Sequence, residues 1–338
     1  MTPGMAVEND STIVALELAQ MYQKGVKHLC DNGLNKLPFK YVLPNSDRPQ
    51  PCKLPAALQL PVIDLAQLCG PNRCHVLRSL TKACEEYGFF QLINHGISSD
   101  VISNMREVSS KFFELPYEER AKYMSSDMHA TQLLSGWPSS PAGFKDSAST
   151  YAEETQRLFL CLVEAILESL GGDMEIEDEK LLNEFEKGSQ LMVMNCYPQC
   201  PEPELTLGMP PHSDYGFLTL LLQDQVEGLQ IHYQQKWVTV QPLPNSFVVN
   251  IGDHLEIFSN GRYKSVLHRV VVNAKKDRIS VATLHSLPFD STIKPWPKLV
   301  NEENPRLYKD TNFGIFLDYI SSCEPKGKNF LNSRKIIY

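Results

Sequence analysis

No stretch of this sequence is apolar for long enough to cross a bilayer as a helix, so no membrane span is expected. The opening residues, Met1 to Ser11, are polar and acidic and lack the charged-then-apolar order of a secretory leader. Basic clusters are missing as well: 32 Lys and Arg stand against 40 Asp and Glu, the net charge is −8, and the cations never gather into a stripe. Nucleic acid is therefore not an expected partner. The nine cysteines are odd in number and come without an export signal, which points to free thiols, a reducing compartment and a cytoplasmic location. Cys69/Cys74 and Cys196/Cys200 are close in sequence, yet neither pair has the further Cys or His at matching spacing that structural zinc requires.

With 338 residues and 42% hydrophobic side chains, the chain can bury a sizeable core, as one large domain or a main domain with a smaller partner. A monomer is the default. Thr12 to Leu29 carries apolar residues near helical spacing, and Pro38 to Pro61 is a proline-rich, irregular connector. A compact alternation is expected next: a strand over Leu60–Leu65, a helix over Val76–Tyr87 ended by Gly88, and a strand over Phe89–Ile93 cut by Asn94-His95-Gly96. Ser98 or Ser99 caps a helix through Phe113, Pro116 opens another, and Tyr151 to Leu170 is a long helix closed by Gly171-Gly172. From Gln190 the texture changes to short runs of Val, Ile, Leu and Phe between Pro, Gly and Asn turns. These runs are Leu191–Tyr197, Leu218–Leu222, Leu229–Tyr233, Trp237–Val240, Ser246–Ile251, Val266–Val272 and Ile279–Leu284, followed by a helix near Phe313–Ser322. Many short strands punctuated in this way predict a mainly β barrel or jelly roll with flanking helices.

Within that half, His212 and Asp214 stand two residues apart at a strand edge, a spacing that points both side chains at one ion. His268, on another predicted strand, is the candidate third ligand. Two histidines and a carboxylate on one side of an ion leave its other positions open, the arrangement of non-heme iron(II) oxygenases. Taken alone, a His-x-Asp pair is common by chance, and His232, His254 and His285 are further candidates as ligands or core groups. Weight comes from Arg278-Ile279-Ser280, where a planar guanidinium fork and a hydroxyl share one strand face suited to a carboxylate. Tyr197 can add a third donor. Together these residues describe a site for one ion and one dicarboxylic acid.

The motifs Tyr87-Gly88-Phe89-Phe90-Gln91, Asn94-His95-Gly96, Asn195-Cys196-Tyr197-Pro198, Pro211-His212-Ser213-Asp214, Leu218 to Asp224, Gly228-Leu229-Gln230, Asn250-Ile251-Gly252-Asp253, Tyr263 to Arg269 and Arg278-Ile279-Ser280 occur in that order. In this order they resemble the plant 2-oxoglutarate- and iron-dependent dioxygenases, in the branch with flavanone 3-hydroxylase-like and salicylate- and gibberellin-modifying members. The resemblance implies a double-stranded β-helix (jelly roll) core over residues 188–290 and an N-terminal mixed α/β domain over 60–170. Residues 1–59 would form an N-terminal helix and connector, and 291–338 a helical tail. It further implies Fe(II) on His212, Asp214 and His268. The distal carboxylate of 2-oxoglutarate would lie on Arg278 and Ser280, with Tyr197 beside it and Asn195 nearby, and His95 would belong to the scaffold. The implied activity is hydroxylation or desaturation of a small plant metabolite or hormone (a flavonoid, phenolic acid or gibberellin-type diterpenoid), with O2 as co-substrate and ascorbate as an accessory reductant.

One departure from the family pattern follows Met128. Relatives carry a strand pair of Tyr-Gly-Thr-Ser-Phe-Asn and Trp-Arg-Asp type there, whereas only eight residues precede Trp137-Pro138-Ser139-Ser140-Pro141 in this chain. That loss predicts an uncovered sheet edge and a wider cavity, and opens the alternative of an impaired relative that binds iron and 2-oxoglutarate without productive oxidation. An ascorbate-dependent ethylene-forming type of oxidase shares the ligand pattern, and a hydrolytic zinc enzyme lacks its general base. Phe217, Leu287 and Phe289 are candidate pocket walls.

Overall fold

Period-two alternation in the short apolar runs produces two facing sheets. The computed structural model describes residues 24–49, 59–123, 137–171, 176–322 and 327–337. Its strands are β1 (Val62–Asp64), β2 (Phe89–Ile93), β3 (Ser189–Tyr197), β4 (Met209–His212), β5 (Leu218–Gln223), β6 (Leu229–Tyr233), β7 (Lys236–Thr239), β8 (Phe247–Ile251), β9 (His268–Val270) and β10 (Arg278–Ser286). The larger sheet has six strands in the order β1-β2-β8-β5-β10-β3, and the smaller has four in the order β4-β9-β6-β7. All pairings are antiparallel except β1 with β2. Sheets of antiparallel strands with helices outside are the jelly-roll core that the strand pattern predicts.

The helices are α1 (Gly25–Asp31), α2 (Arg73–Lys82), α3 (Ser99–Glu114), α4 (Tyr117–Ala121), α5 (Phe144–Gly171), α6 (Ile176–Glu186), α7 (Asp253–Phe258), α8 (Phe313–Ser322) and α9 (Asn329–Arg334). Every second residue of the larger sheet turns outward onto them. Leu218, Leu220 and Leu222 of β5 and Phe247, Val249 and Ile251 of β8 join Phe159, Leu162 and Ile166 of α5 in the main core. The intervening residues turn inward: Leu221 and Val248 meet Leu229 and Ile231 of the smaller sheet. Strand alternation thus places Thr219, Gln223 and Asn250 on the inner face, where an apolar sheet otherwise has no use for them.

Local departures from the sequence reading have local causes. The helix expected over Val76–Tyr87 is α-helical only as α2, and Ala83–Tyr87 widens to a π turn before Gly88 closes it in the left-handed region, with φ +63°. The long helix α5 begins at Phe144, seven residues before the apolar periodicity becomes plain, because only Phe144 and Ala148 of its first seven residues are apolar and buried. Helices α6, α7 and α9 were not legible. The strand expected over Val266–Val272 forms only at His268–Val270, and β4 was seen only as a strand edge, since Pro210 and Pro211 argue against a strand and are tolerated there because β4 ends its sheet. Phe217 is not a pocket wall: it is fully buried against Phe185 and Phe258. Most of the helix expected over Thr12–Leu29, part of the Pro38–Pro61 connector and the shortened stretch after Met128 lie outside the described residues. Among those described, β3 ends the larger sheet, and its Leu191 and Val193 are 38% and 36% exposed.

A Cβ on Gly88 would stand 2.1 Å from Lys264 O and 2.6 Å from Val266 Cγ2, besides straining a left-handed backbone. Gly88→Ala is expected to cost about 2–4 kcal/mol of stability. Urea unfolding measures it, and an unchanged midpoint would contradict the packing of Gly88 against the segment leading to His268.

Candidate metal centre and anion pocket

His212 ends β4, His268 begins β9, and the antiparallel register sets them directly opposite each other. Their rings lie 4.2 Å apart between centroids. Asp214 is not within the strand, as the His-x-Asp spacing suggested, but in the turn just past it, where its carbonyl accepts from Asp253 N–H at 2.7 Å. That turn brings Asp214 Oδ1 to 3.7 Å from His212 Nε2 and 3.6 Å from His268 Nε2. One ligand atom from each residue lies within 4.8 Å of the others, and among the described residues this is the group of His, Cys and carboxylate side chains able to hold an ion.

Each side chain is oriented by its other polar atom. His212 Nδ1 lies 2.9 Å from Pro210 O and His268 Nδ1 lies 3.2 Å from Val266 O, so each Nδ1 carries the proton and each Nε2 presents a lone pair inward. Asp214 Oδ2 accepts from Thr219 Oγ1 at 2.5 Å and from Asn250 Nδ2 at 2.8 Å, leaving Oδ1 toward the histidines. Burial pushes His268 down to about 4, with the neighbouring His212 adding to the effect against the pull of Asp214, so its ring is neutral at neutral pH. Burial alone would raise Asp214, but the facing His268 and His212 and its two donors hold it below the usual carboxylate value. Two imidazoles presenting Nε2 and one ionised carboxylate fit a divalent iron.

On the larger sheet, Arg278 is 2% and Ser280 3% exposed. Arg278 pairs in register with Tyr197, and Ser280 with both Asn195 and Gln223. The guanidinium donates to Gln223 Oε1 at 2.9 Å and Ser280 Oγ at 3.5 Å, stands 5.3 Å from the Tyr197 ring, and leaves Nε without a partner. Burial pushes Arg278 down from its ordinary value, offset in part by Tyr197 and Asp224. A buried cation met by neutral acceptors is costly until an anion completes it, so this pocket suits a carboxylate. Gly228 makes the space: a Cβ there would fall 2.7 Å from Arg278 Cδ. Thr219 and Gln223 stand two inward positions apart on β5, roughly 13 Å along the strand. One holds the Asp214 carboxylate and the other the Arg278 fork.

The remaining histidines sit elsewhere. His254 bonds Ser286 Oγ at 2.8 Å, His285 meets Gln156 Oε1 at 3.0 Å and stacks on Phe159, and His232 packs on Trp237. Burial drives both His254 and His285 down to about 3, so they are neutral core groups. His95 accepts from Ile97 N–H at 3.2 Å and packs edge-on against Phe247. Leu287 is buried, and Phe289 packs on Phe313. Sequence reasoning missed Thr219, Asn250, Gln223 and Gly228. The available signal was a polar residue at an inward position of an otherwise apolar strand.

Residues 60–148 match the N-terminal family described as non-haem dioxygenase in morphine synthesis, and residues 188–286 match the 2OG-Fe(II) oxygenase superfamily. Protein DMR6-LIKE OXYGENASE 1 of Arabidopsis thaliana is 41% identical over 298 residues, spanning 79% of this chain and 84% of the relative. Flavanone 3-dioxygenase 2 of Oryza sativa subsp. japonica is 38% identical over 307 residues, spanning 82% and 88%. A crystal structure of JOX2 in complex with 2OG, Fe and JA superposes with a TM-score of 0.80 at 32% identity, covering 91% of this chain and 96% of that one. The chain belongs to the 2OG-Fe(II) oxygenase superfamily and is a 2-oxoglutarate-dependent dioxygenase of the plant type.

Proposed function

We propose that this protein hydroxylates or desaturates a small, largely apolar plant metabolite, with His212, Asp214 and His268 holding Fe(II) and Arg278, Ser280, Tyr197 and Asn195 receiving 2-oxoglutarate. The observation that carries the reading is the pairing of an inward-facing His, Asp, His set with a buried guanidinium that has no carboxylate partner among the described residues. When bound, iron and 2-oxoglutarate supply oxygen activation, converting the keto acid to succinate and carbon dioxide as the substrate is oxidised.

The chain's own share is positional. The carbonyls of Pro210 and Val266 keep both imidazoles in the ligating tautomer, and Thr219 and Asn250 reserve one Asp214 oxygen for the ion. Arg278 supplies a planar fork that fixes a carboxylate end to end with the metal. Beyond Asn195 and Tyr197, the same face of β3 continues with Val193 and Leu191, opposite Ala282 and Leu284 of β10. This apolar strip is the proposed surface for the substrate's carbon skeleton, which fits flavonoid-, phenolic- or diterpenoid-sized compounds.

The deciding assay is succinate release with Fe(II) and 2-oxoglutarate across flavanones, phenolic acids and gibberellin-type diterpenoids. Substrate-dependent succinate with matching oxidised product is expected; 2-oxoglutarate consumed without product from any of them would count against productive oxidation. His268→Ala is expected to abolish iron binding and turnover while the circular dichroism stays unchanged, since one of three ligands is lost. Wild-type turnover in that variant would remove His268 from the centre. Arg278→Lys keeps the charge but loses the fork, and is expected to raise the KM for 2-oxoglutarate by about tenfold or more with smaller change in kcat. An unaltered KM would place the keto acid elsewhere.

A further inference from the structure

Beneath the ligand-bearing segments lies a buried polar network that the chemistry above does not use. Asp253 and Glu256 of α7 are 2% and 4% exposed. Asp253 accepts from Ser213 Oγ at 3.2 Å and from Ser265 Oγ at 2.7 Å. Glu256 Oε2 accepts from Ser265 N–H at 2.7 Å, and its Oε1 accepts from the Tyr308 hydroxyl at 2.8 Å. Ser213 directly precedes Asp214, and Ser265 opens the run Ser265-Val266-Leu267-His268. The two carboxylates therefore tie down both segments that deliver ligands.

Their positive charge comes from the far end of the chain. Lys328 Nζ lies 3.1 Å from Glu256 Oε2 and donates to Ser265 O at 2.5 Å. Its neighbour Gly327 forms a parallel bridge with His212 itself. That bridge lies where β4 is weakest: Pro210 and Pro211 have no N–H to give, and the register against β9 shifts between Met209 and His212. One dipeptide of the C-terminal segment thus braces the outer side of His212 and neutralises the acid beneath Ser265.

We propose that Lys328 is a positioning residue for the metal centre, latching the C-terminal segment onto Glu256 and Ser265 so that His212, Asp214 and His268 stay at ligand spacing. The proposal rests on the iron reading of those three residues. Without Lys328, a buried carboxylate loses its cation, and the uncompensated charge loosens Ser265 and the His212 edge together. Loss of a group that orients metal ligands typically weakens metal binding tenfold or more.

The test is cobalt(II) titration of the metal-free full-length protein, followed by visible absorption, for wild type, Lys328→Met, Lys328→Arg and His268→Ala. Wild type should bind one cobalt, Lys328→Met should bind about tenfold more weakly with unchanged circular dichroism, and Lys328→Arg should recover most of the affinity. A wild-type dissociation constant in Lys328→Met overturns the latch while leaving the ligand set intact. Equal binding by wild type and His268→Ala overturns the ligand set, and the latch with it. If Lys328→Met fails to fold, Glu256→Gln, which keeps an acceptor but removes the charge, reads the same contact. A roughly threefold loss of cobalt affinity there supports the proposal, and no loss overturns it.

Discussion

The Asp214 carboxylate is where the two sheets are tied to one another. One of its oxygens is held by Thr219 and Asn250 of the larger sheet, and the other faces His212 and His268 of the smaller. Thr219 and Asn250 are themselves register partners on β5 and β8, so a single cross-strand pair anchors the carboxylate. Spacing between the sheets therefore sets the ligand geometry. That spacing depends in turn on the apolar contacts of Leu221, Leu229, Ile231 and Val248. A jelly roll suits the task because the smaller sheet, with the turn that follows β4, presents the three ligand side chains while the facing sheet supplies the donors that orient the carboxylate.

Division of labour along β10 follows the same logic. Its outward residues join the packing against α5, while its inward residues run from the Arg278 fork through Ser280 to the apolar Ala282 and Leu284. Charge, hydroxyl and hydrocarbon thus succeed one another on one strand face at two-residue intervals. On the proposed reading, the keto acid and the substrate's carbon skeleton are then held along the same strand.

How much of this was readable beforehand depended on whether chemistry or packing selected the residue. His212, Asp214, His268, Arg278, Ser280 and Tyr197 stood out only in combination, because a ligand-like His-x-Asp spacing and a carboxylate-binding Arg-x-Ser pair fall in the same run of predicted strands. His212, Asp214 and His268 lie together, and Arg278 and Ser280 lie in register with Tyr197 and Asn195, although Asp214 arrives by a turn and not by strand alternation. Thr219, Asn250 and Gln223 were quoted only within motifs and given no role, because a Thr, Asn or Gln in a strand carries no signal until the inward face is known. Gly228 was quoted as part of a motif without a role, since the clash it avoids, with Arg278 Cδ, exists only once the strands are assembled. The short helix α7 escaped because six residues are too few to show a period, and nothing in the sequence signals that its Asp253 and Glu256 are buried.

The border formed by β3 has a consequence for how such a protein can change. Among the described residues this strand has a neighbour on one side only, and it also carries Leu191 and Val193 beside the proposed substrate strip. Among those residues its outer edge pairs with no further strand, while Leu191 and Val193 lie on the face of the proposed strip. A stretch of polypeptide docked along that edge would lie beside the proposed substrate strip, so Leu191 and Val193 would face both.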